Sequence, residues 1–249
     1  MQIELIGCTS SGKSILTQLI MQANQEQGFD MVTSYEFVLR QARLNWIQNH
    51  IVRMFLLNLI ALFACLLAFR KHLEFYRFAT GVILNLPTKV TWLERLKIAR
   101  ITARNLGIYE IVCRYGSDRE VVLADEGTLH IAHYLFVHSS FEPNMNDLET
   151  FIRLVSLPDV AVYIKQPESV LIARTKARTH KRIPDGASHL VERFIKHGVS
   201  TFDKLVEFSI LESRMLVVNG GECKIPASKY RDDPLLGIAL KILDFGVEP

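Results

Sequence analysis

The sequence predicts an α/β fold in three layers: a parallel sheet flanked by helices, with one helical insertion. Three observations predict it. Short apolar or β-branched runs alternate with stretches of helical period, the pattern of successive βαβ units. The first such run, residues 3–6, leads directly into Gly7-Cys8-Thr9-Ser10-Ser11-Gly12-Lys13-Ser14 and then into an amphipathic stretch, so strand, glycine-rich loop and helix are in register. Of the 249 residues, 49% are hydrophobic and 22% charged, a globular balance that argues against a disordered, collagen-like or coiled-coil chain.

The elements follow in order. Ile3–Ile6 reads as a buried strand and Ile15–Gln25 as a helix stopping near Gly28. Phe29–Ser34 is a second strand, and residues from about Phe37 to Phe78 are helical in pattern. In Thr91–Val112, Leu93, Leu96, Ala99, Ala103 and Leu106 fall on one helical face. Glu120–Ala124 is a β-branched run ending in Asp125, as a buried parallel strand does. Helices are expected over Gly127–Phe136 and Asp147–Ser156, the latter ended by Leu157-Pro158. Val160–Ile164 is a strand, followed by a helix over Pro167–Thr179 with proline at its start and Glu168 in its first turn. Ser188–Leu211 is mostly helical, Met215–Val218 is a last strand, and Leu235–Leu243 a closing helix. No internal repeat or low-complexity linker interrupts this order, which describes one domain over 1–249 with the insertion at about 37–118.

The loop at Gly7–Ser14 matches G-x-x-x-x-G-K-[ST] in full. Its glycines let the backbone wrap around phosphate oxygens, and successive N–H groups with the helix N-terminus present positive ends to the anion. In such a loop Lys13 reaches the β- and γ-phosphates of a nucleotide, and the Ser14 hydroxyl ligates Mg²⁺. The strand 121–124 delivers Asp125 and Glu126 at its carboxyl end, where ligands of open α/β sheets sit. Asp125 is therefore expected to hold Mg²⁺ or to take a proton from an attacking hydroxyl. Arg174, Arg178 and Arg182 recur every four residues, with Lys176 and Lys181 nearby, and the segment breaks at Ile183-Pro184-Asp185-Gly186. Planar guanidinium donors on a closing segment suit a lid over transferring phosphates.

These elements, in this order, resemble the nucleoside and nucleotide kinases of the P-loop class, especially thymidylate kinase and the deoxynucleoside kinases. The resemblance covers about residues 1–36 and 119–245, and the loop is its specific part. Gly28–Glu36 resembles that family's second strand, which ends in a glutamate beside the acceptor; the resemblance assigns that role to Glu36. Residues 157–182 resemble its next strand, its Pro-Glu helix start and its arginine-rich lid. Residues 215–220 resemble the last strand, whose following loop packs on adenine and brings Asn219 to the nucleotide. The family has an acid–arginine pair where this chain has Asp125-Glu126, and residues 37–118 match nothing in it. The resemblance implies a P-loop kinase fold, ATP and Mg²⁺ as cofactors, and a small-molecule acceptor that is a nucleoside, a nucleotide or another hydroxyl or phosphate compound.

Other features bear on partners and place. Between Arg40 and Arg119 there are thirteen Lys/Arg against four Asp/Glu, a block suited either to an anionic partner or to a solvated surface. It contains Ile51–Phe69, in which only Arg53 and Asn58 are not apolar. That is long enough to span a membrane, yet one crossing would separate the loop from the acid and the arginines. Three readings remain: a helix in the core, at a subunit interface of a homodimer, or in the membrane surface through 51–71. Four widely spaced cysteines without a CxxC pair fit a reducing compartment and give no zinc signature. No secretory signal is evident, so a cytoplasmic protein, or one peripheral to the membrane, is expected. No nucleic-acid module is visible. Lys97, Arg100 and Arg104 share a helical face and read as a solvated stripe or an anion grip. His130 and His133, one turn apart, have the spacing of a metal pair but no further ligand nearby. Cys8 lies near a helix N-terminus, which would lower its pKa, and Trp46 and Trp92 are expected to serve packing. Two further readings stand beside the soluble kinase: a membrane-associated kinase of a sugar or lipid-linked acceptor, and a P-loop NTPase switch that transfers nothing.

Overall fold

A computed structural model describes residues 1–27, 30–117, 120–139, 141–178, 183 and 187–220. Lys181, Arg182, residues 184–186 of the expected break, Cys223 and the expected helix over 235–243 lie outside these. In chain order the elements are β1 (Gln2–Ile6), α1 (Lys13–Gln27), β2 (Met31–Thr33), α2 (Ser34–Gln41), α3 (His50–Leu67), α4 (Leu73–Leu84) and α5 (Trp92–Tyr115). They continue with β3 (Val121–Ala124), α6 (Ile131–Phe136), α7 (Met145–Leu154), β4 (Val160–Lys165), α8 (Glu168–Arg178), α9 (Ser188–Val206), α10 (Ser209–Glu212) and β5 (Met215–Asn219).

The five strands form one sheet in the order β2-β3-β1-β4-β5, and every pairing is parallel. This is the predicted α/β class. Side chains alternate across the sheet as the two-residue period requires. Ile3 and Leu5 of β1 join Val160, Val162 and Ile164 of β4 against Leu16 and Ile20 of α1. On the opposite face Ile6, Ala161 and Tyr163 pack with Leu129, Ile131, Phe151 and Phe202. Because β1 is central, with β3 on one side and β4 on the other, the loops leaving β1 and β3 emerge side by side.

Local chemistry sets the helix starts. Thr33 accepts from the Glu36 N–H to open α2, Asn49 accepts from Ile51 and Val52 to open α3, and Thr91 with Glu94 forms a complete capping box on α5. The helical pattern expected over residues 37–78 divides into α2, α3 and α4: the Asn49 cap opens α3, and α4 begins after His72 without a side-chain cap.

The insertion is a packed helical unit. Leu57 and Ala61 of α3 meet Ile108, Ile111 and Val112 of α5 and Phe37 and Val38 of α2. The approach of α3 to α5 depends on Gly107, where an added Cβ would lie 1.8 Å from the Ala61 carbonyl oxygen. The core-helix reading of 51–69 does not hold. Leu57, Ala61 and Cys65 are the buried residues of α3, while Val52, Phe55, Leu59, Phe63 and Leu66 form an exposed stripe at helical spacing. Trp46 and Trp92 are 76% and 62% exposed, which also corrects their expected packing role.

Candidate functional site

The loop after β1 has the backbone that its glycines predict. Gly7 and Gly12 have φ of 144° and 101°, and Ser10 is left-handed at 64°, conformations that favour residues without a branched side chain. Gly7 also has no room for a Cβ, which would lie 2.9 Å from the Ile164 carbonyl oxygen of β4. The Gly12 carbonyl then accepts from Ile15 and Leu16, so the loop runs into α1 without a break.

Lys13 Nζ folds back over the loop and donates to the carbonyls of Gly7 at 2.9 Å and Cys8 at 3.1 Å. Burial holds the Lys13 ammonium below its usual pKa, and the nearby Asp125 charge opposes that shift. The Ser14 hydroxyl donates to Asp125 Oδ2 at 3.2 Å, which joins the first residue after β3 to the loop after β1. Burial raises the Asp125 carboxyl, with Lys13 pulling it down.

Asp125 Oδ1 is buried with no protein hydrogen-bond partner. A buried acceptor without a donor is costly unless a cation or water meets it. Together with the Ser14 hydroxyl it fits Mg²⁺, which takes few protein oxygens and completes its shell with water and phosphate. Among the described residues no group of three or more His, Cys, Asp or Glu side chains could hold a metal by itself. His130 and His133 lie with rings stacked, centroids 5.2 Å apart and 8° between planes. They form part of the cleft wall.

A cleft of about 440 Å³ opens over the loop. Thr9–Ile15, Asp125, Glu126, His130, His133, Tyr134, Arg174 and Arg178 line it. Helix α8 lies against the loop itself: Arg174 Nη1 donates to the Ser10 carbonyl at 3.4 Å, and Thr175 Oγ1 to Ser10 Oγ at 3.1 Å. The Gln166 amide, just before α8, donates to the Ser11 carbonyl at 3.3 Å. Two of the three predicted lid arginines are thus at the cleft, and Arg182 is outside the described residues.

Some sequence expectations are placed elsewhere. Glu36 is exposed at the start of α2, where its carboxylate accepts from the Thr33 hydroxyl at 3.0 Å, and it does not line the cleft. Asn219 ends β5 beside Lys165 and is likewise not among the lining residues. Cys8 has the opposite character to that expected: it is buried, its thiol points to the Ile195 carbonyl at 3.9 Å, and burial pushes its pKa up to about 12.

The structure adds contacts between site residues that lie far apart in sequence. Glu126 accepts from the Tyr134 hydroxyl at 3.0 Å and from Arg104 Nη2 at 3.5 Å. Burial alone would raise Glu126; His130, Tyr134, Arg104 and Lys13 outweigh it and hold the carboxyl below its ordinary range. Arg104 therefore leaves the stripe it shares with the exposed Lys97 and Arg100, and its guanidinium also sits 5.7 Å from the Tyr35 ring. In sequence Arg104 and Glu126 are too far apart to suggest a pair. Only the helical spacing of Tyr134 from His130 hinted that both face one way.

No family model and no curated protein matches the chain. Among solved structures it is similar to deoxyadenosine kinase from M. mycoides with bound dCTP, at 12% identity and a TM-score of 0.44, over 98% of this chain and 99% of that one. It is similar to the same enzyme with bound dATP at 10% identity and a TM-score of 0.46, over 98% and 100% of the two chains. With products dCMP and a flexible dCDP bound, the values are 13% identity and a TM-score of 0.48, over 98% and 99%.

Proposed function

We propose that the chain is an ATP-dependent phosphotransferase that moves the γ-phosphate to a small hydroxyl or phosphate acceptor, with nucleosides and nucleoside monophosphates the first candidates. The observation that carries this reading is the convergence on one cleft of the glycine loop with Lys13, the Ser14–Asp125 contact at 3.2 Å, and Arg174 and Arg178 from α8. A loop and an acid alone would also serve an NTPase switch. Arginines over the same loop favour transfer, because they neutralise the charge that the γ-phosphoryl group develops.

In this reading the loop N–H groups cradle the triphosphate. Lys13 exchanges the Gly7 and Cys8 carbonyls for phosphate oxygens. Ser14 and Asp125 would hold Mg²⁺, which would supply neutralisation of phosphate charge. Arg174 and Arg178 bind the transferring group from the α8 side. Of the two groups weighed for orienting the acceptor, Asp125 has the better support, since it lines the cleft while Glu36 is engaged with Thr33. Rate enhancement then comes from positioning and electrostatics.

The test is transfer of γ-labelled phosphate from ATP to pooled nucleosides and to pooled nucleoside monophosphates, with Lys13→Ala as control. Label in either pool, lost in the variant, is the expected result; label released only as inorganic phosphate overturns transfer in favour of the switch. The exposed apolar stripe on α3 favours a second reading, the same chemistry at a membrane surface on a lipid-linked acceptor. Flotation with anionic vesicles, and label in a lipid extract, would select it.

A further inference from the structure

Glu4 lies in the middle of the central strand with 0% exposure. Its strand neighbours Ile3 and Leu5 pack against α1; its own side chain points to the opposite face, beneath the segment that follows the acid pair. The His130 N–H donates to Glu4 Oε1 at 2.8 Å and the Leu129 N–H to Oε2 at 3.1 Å. Thr128 Oγ1 lies 3.4 Å from Oε2 and also donates to the Ser156 carbonyl at 2.5 Å. His130 is the N-cap of α6 and Leu129 precedes it, so neither N–H has an acceptor within that helix. Gly127 is required by the same contact, since a Cβ there would lie 2.5 Å from the Glu4 carboxylate. In the strand pairing Glu4 stands opposite Ala124, the residue before Asp125. An apolar residue would fill this face of β1 without the cost of burying a carboxylate. What the carboxylate supplies in return is a clamp on residues 127–130.

We infer that Glu4 is a positioning residue for the cleft: its carboxylate fixes the 127–130 segment and so sets Asp125, Glu126 and His130 against the glycine loop. Glu4 lines no part of the cleft and touches no phosphate, so it acts through the segment it holds. The functional part of the inference rests on the reading of Asp125 as the Mg²⁺-side acid.

The test uses the whole protein and two readouts, amide hydrogen exchange across 125–134 and ATP affinity with Mg²⁺ and with EDTA. Glu4→Gln keeps the shape and removes one charged acceptor. At pH 8, where the Glu4 carboxylate is charged, the amides of 127–130 are expected to exchange about tenfold faster or more, the consequence of losing a charge-assisted hydrogen bond, while β4 keeps its protection. The gain in ATP affinity brought by Mg²⁺ shrinks, and the affinity in EDTA stays within about twofold, because the loop N–H groups are untouched. Gly127→Ala perturbs the same contact from the other side with Glu4 intact, and serves if Glu4→Gln does not fold. In the Glu4→Ala background Gly127→Ala should add nothing, since the carboxylate it would strike is gone. Unchanged exchange over 127–130 in Glu4→Gln, or equal damage from Gly127→Ala with and without Glu4, overturns the inference. Should the wild-type protein bind no ATP, the proposed function fails, and the exchange data still decide the clamp.

Discussion

Replacing Glu4 by Gln also makes a prediction about stability. Burial pushes the Glu4 carboxyl from 4.5 up to about 7, against the pull of the backbone N–H groups of His130, Leu129 and Gly127. The folded protein therefore keeps this proton to a higher pH than the unfolded chain does. Below the unfolded value of 4.5 both states are protonated and the group's stabilising share is intact. As pH rises the unfolded chain ionises first, so stability falls until the folded-state value of about 7 is passed. At roughly 1.4 kcal/mol per pH unit, that interval corresponds to a loss of about 3 kcal/mol. The assay is urea unfolding of wild type and Glu4→Gln at pH 5 and pH 8. Other titrating groups act equally on both proteins and cancel in the difference. Wild-type stability relative to the variant should fall by about 2.5 kcal/mol between the two pH values, since part of the loss has already occurred at pH 5. Parallel pH profiles would refute the reasoning, because they would mean that Glu4 titrates alike in the folded and unfolded states.

Three further outcomes are expected. Asp125→Asn keeps a hydrogen-bond acceptor for Ser14 but removes the charge, so steady-state phosphoryl transfer should fall about 10²–10³-fold with melting temperature little changed. Gly107→Ala forces a methyl group toward the Ala61 carbonyl, 1.8 Å away, and should cost about 1–3 kcal/mol by chemical denaturation as α3 and α5 separate. Cys8, buried with its pKa pushed up to about 12, should resist iodoacetamide at pH 8 in the native protein and react once urea unfolds it, as read by peptide mass spectrometry.

The parts of the fold that were legible were those with a local cause. The strand–glycine loop–helix unit, the β-branched strand ending at Asp125, and the helix that opens at Pro167 each carry their signal in consecutive residues, and each formed within a few residues of where it was expected. The approach of Ser14 to Asp125 followed from topology, because parallel strands deliver their carboxyl ends to one edge. What stayed hidden depends on residues distant in sequence. Glu4 reads as one polar letter in a strand until the 127–130 segment folds over it. Arg104 reads as part of a basic stripe until Glu126 meets it. For Cys8, position near a helix N-terminus suggests a reactive thiol, but the close packing of Gly198, where a Cβ would lie 2.6 Å from its sulfur, shows how fully it is enclosed. Helix α3 illustrates the limit of composition: seventeen apolar residues of nineteen in 51–69 say that the segment is apolar, not which edge is covered.

The measurement that bears most directly on the central claim is calorimetric titration of ATP into wild type and Lys13→Ala, in Mg²⁺ and in EDTA. If residues 7–14 with Asp125 form a Mg²⁺–nucleotide site, wild type binds ATP more tightly with Mg²⁺ than without, and Lys13→Ala weakens binding by about tenfold or more, the loss of one charged phosphate contact. Absence of ATP binding by the wild type at millimolar nucleotide, or binding indifferent to both Lys13 and Mg²⁺, would contradict the account.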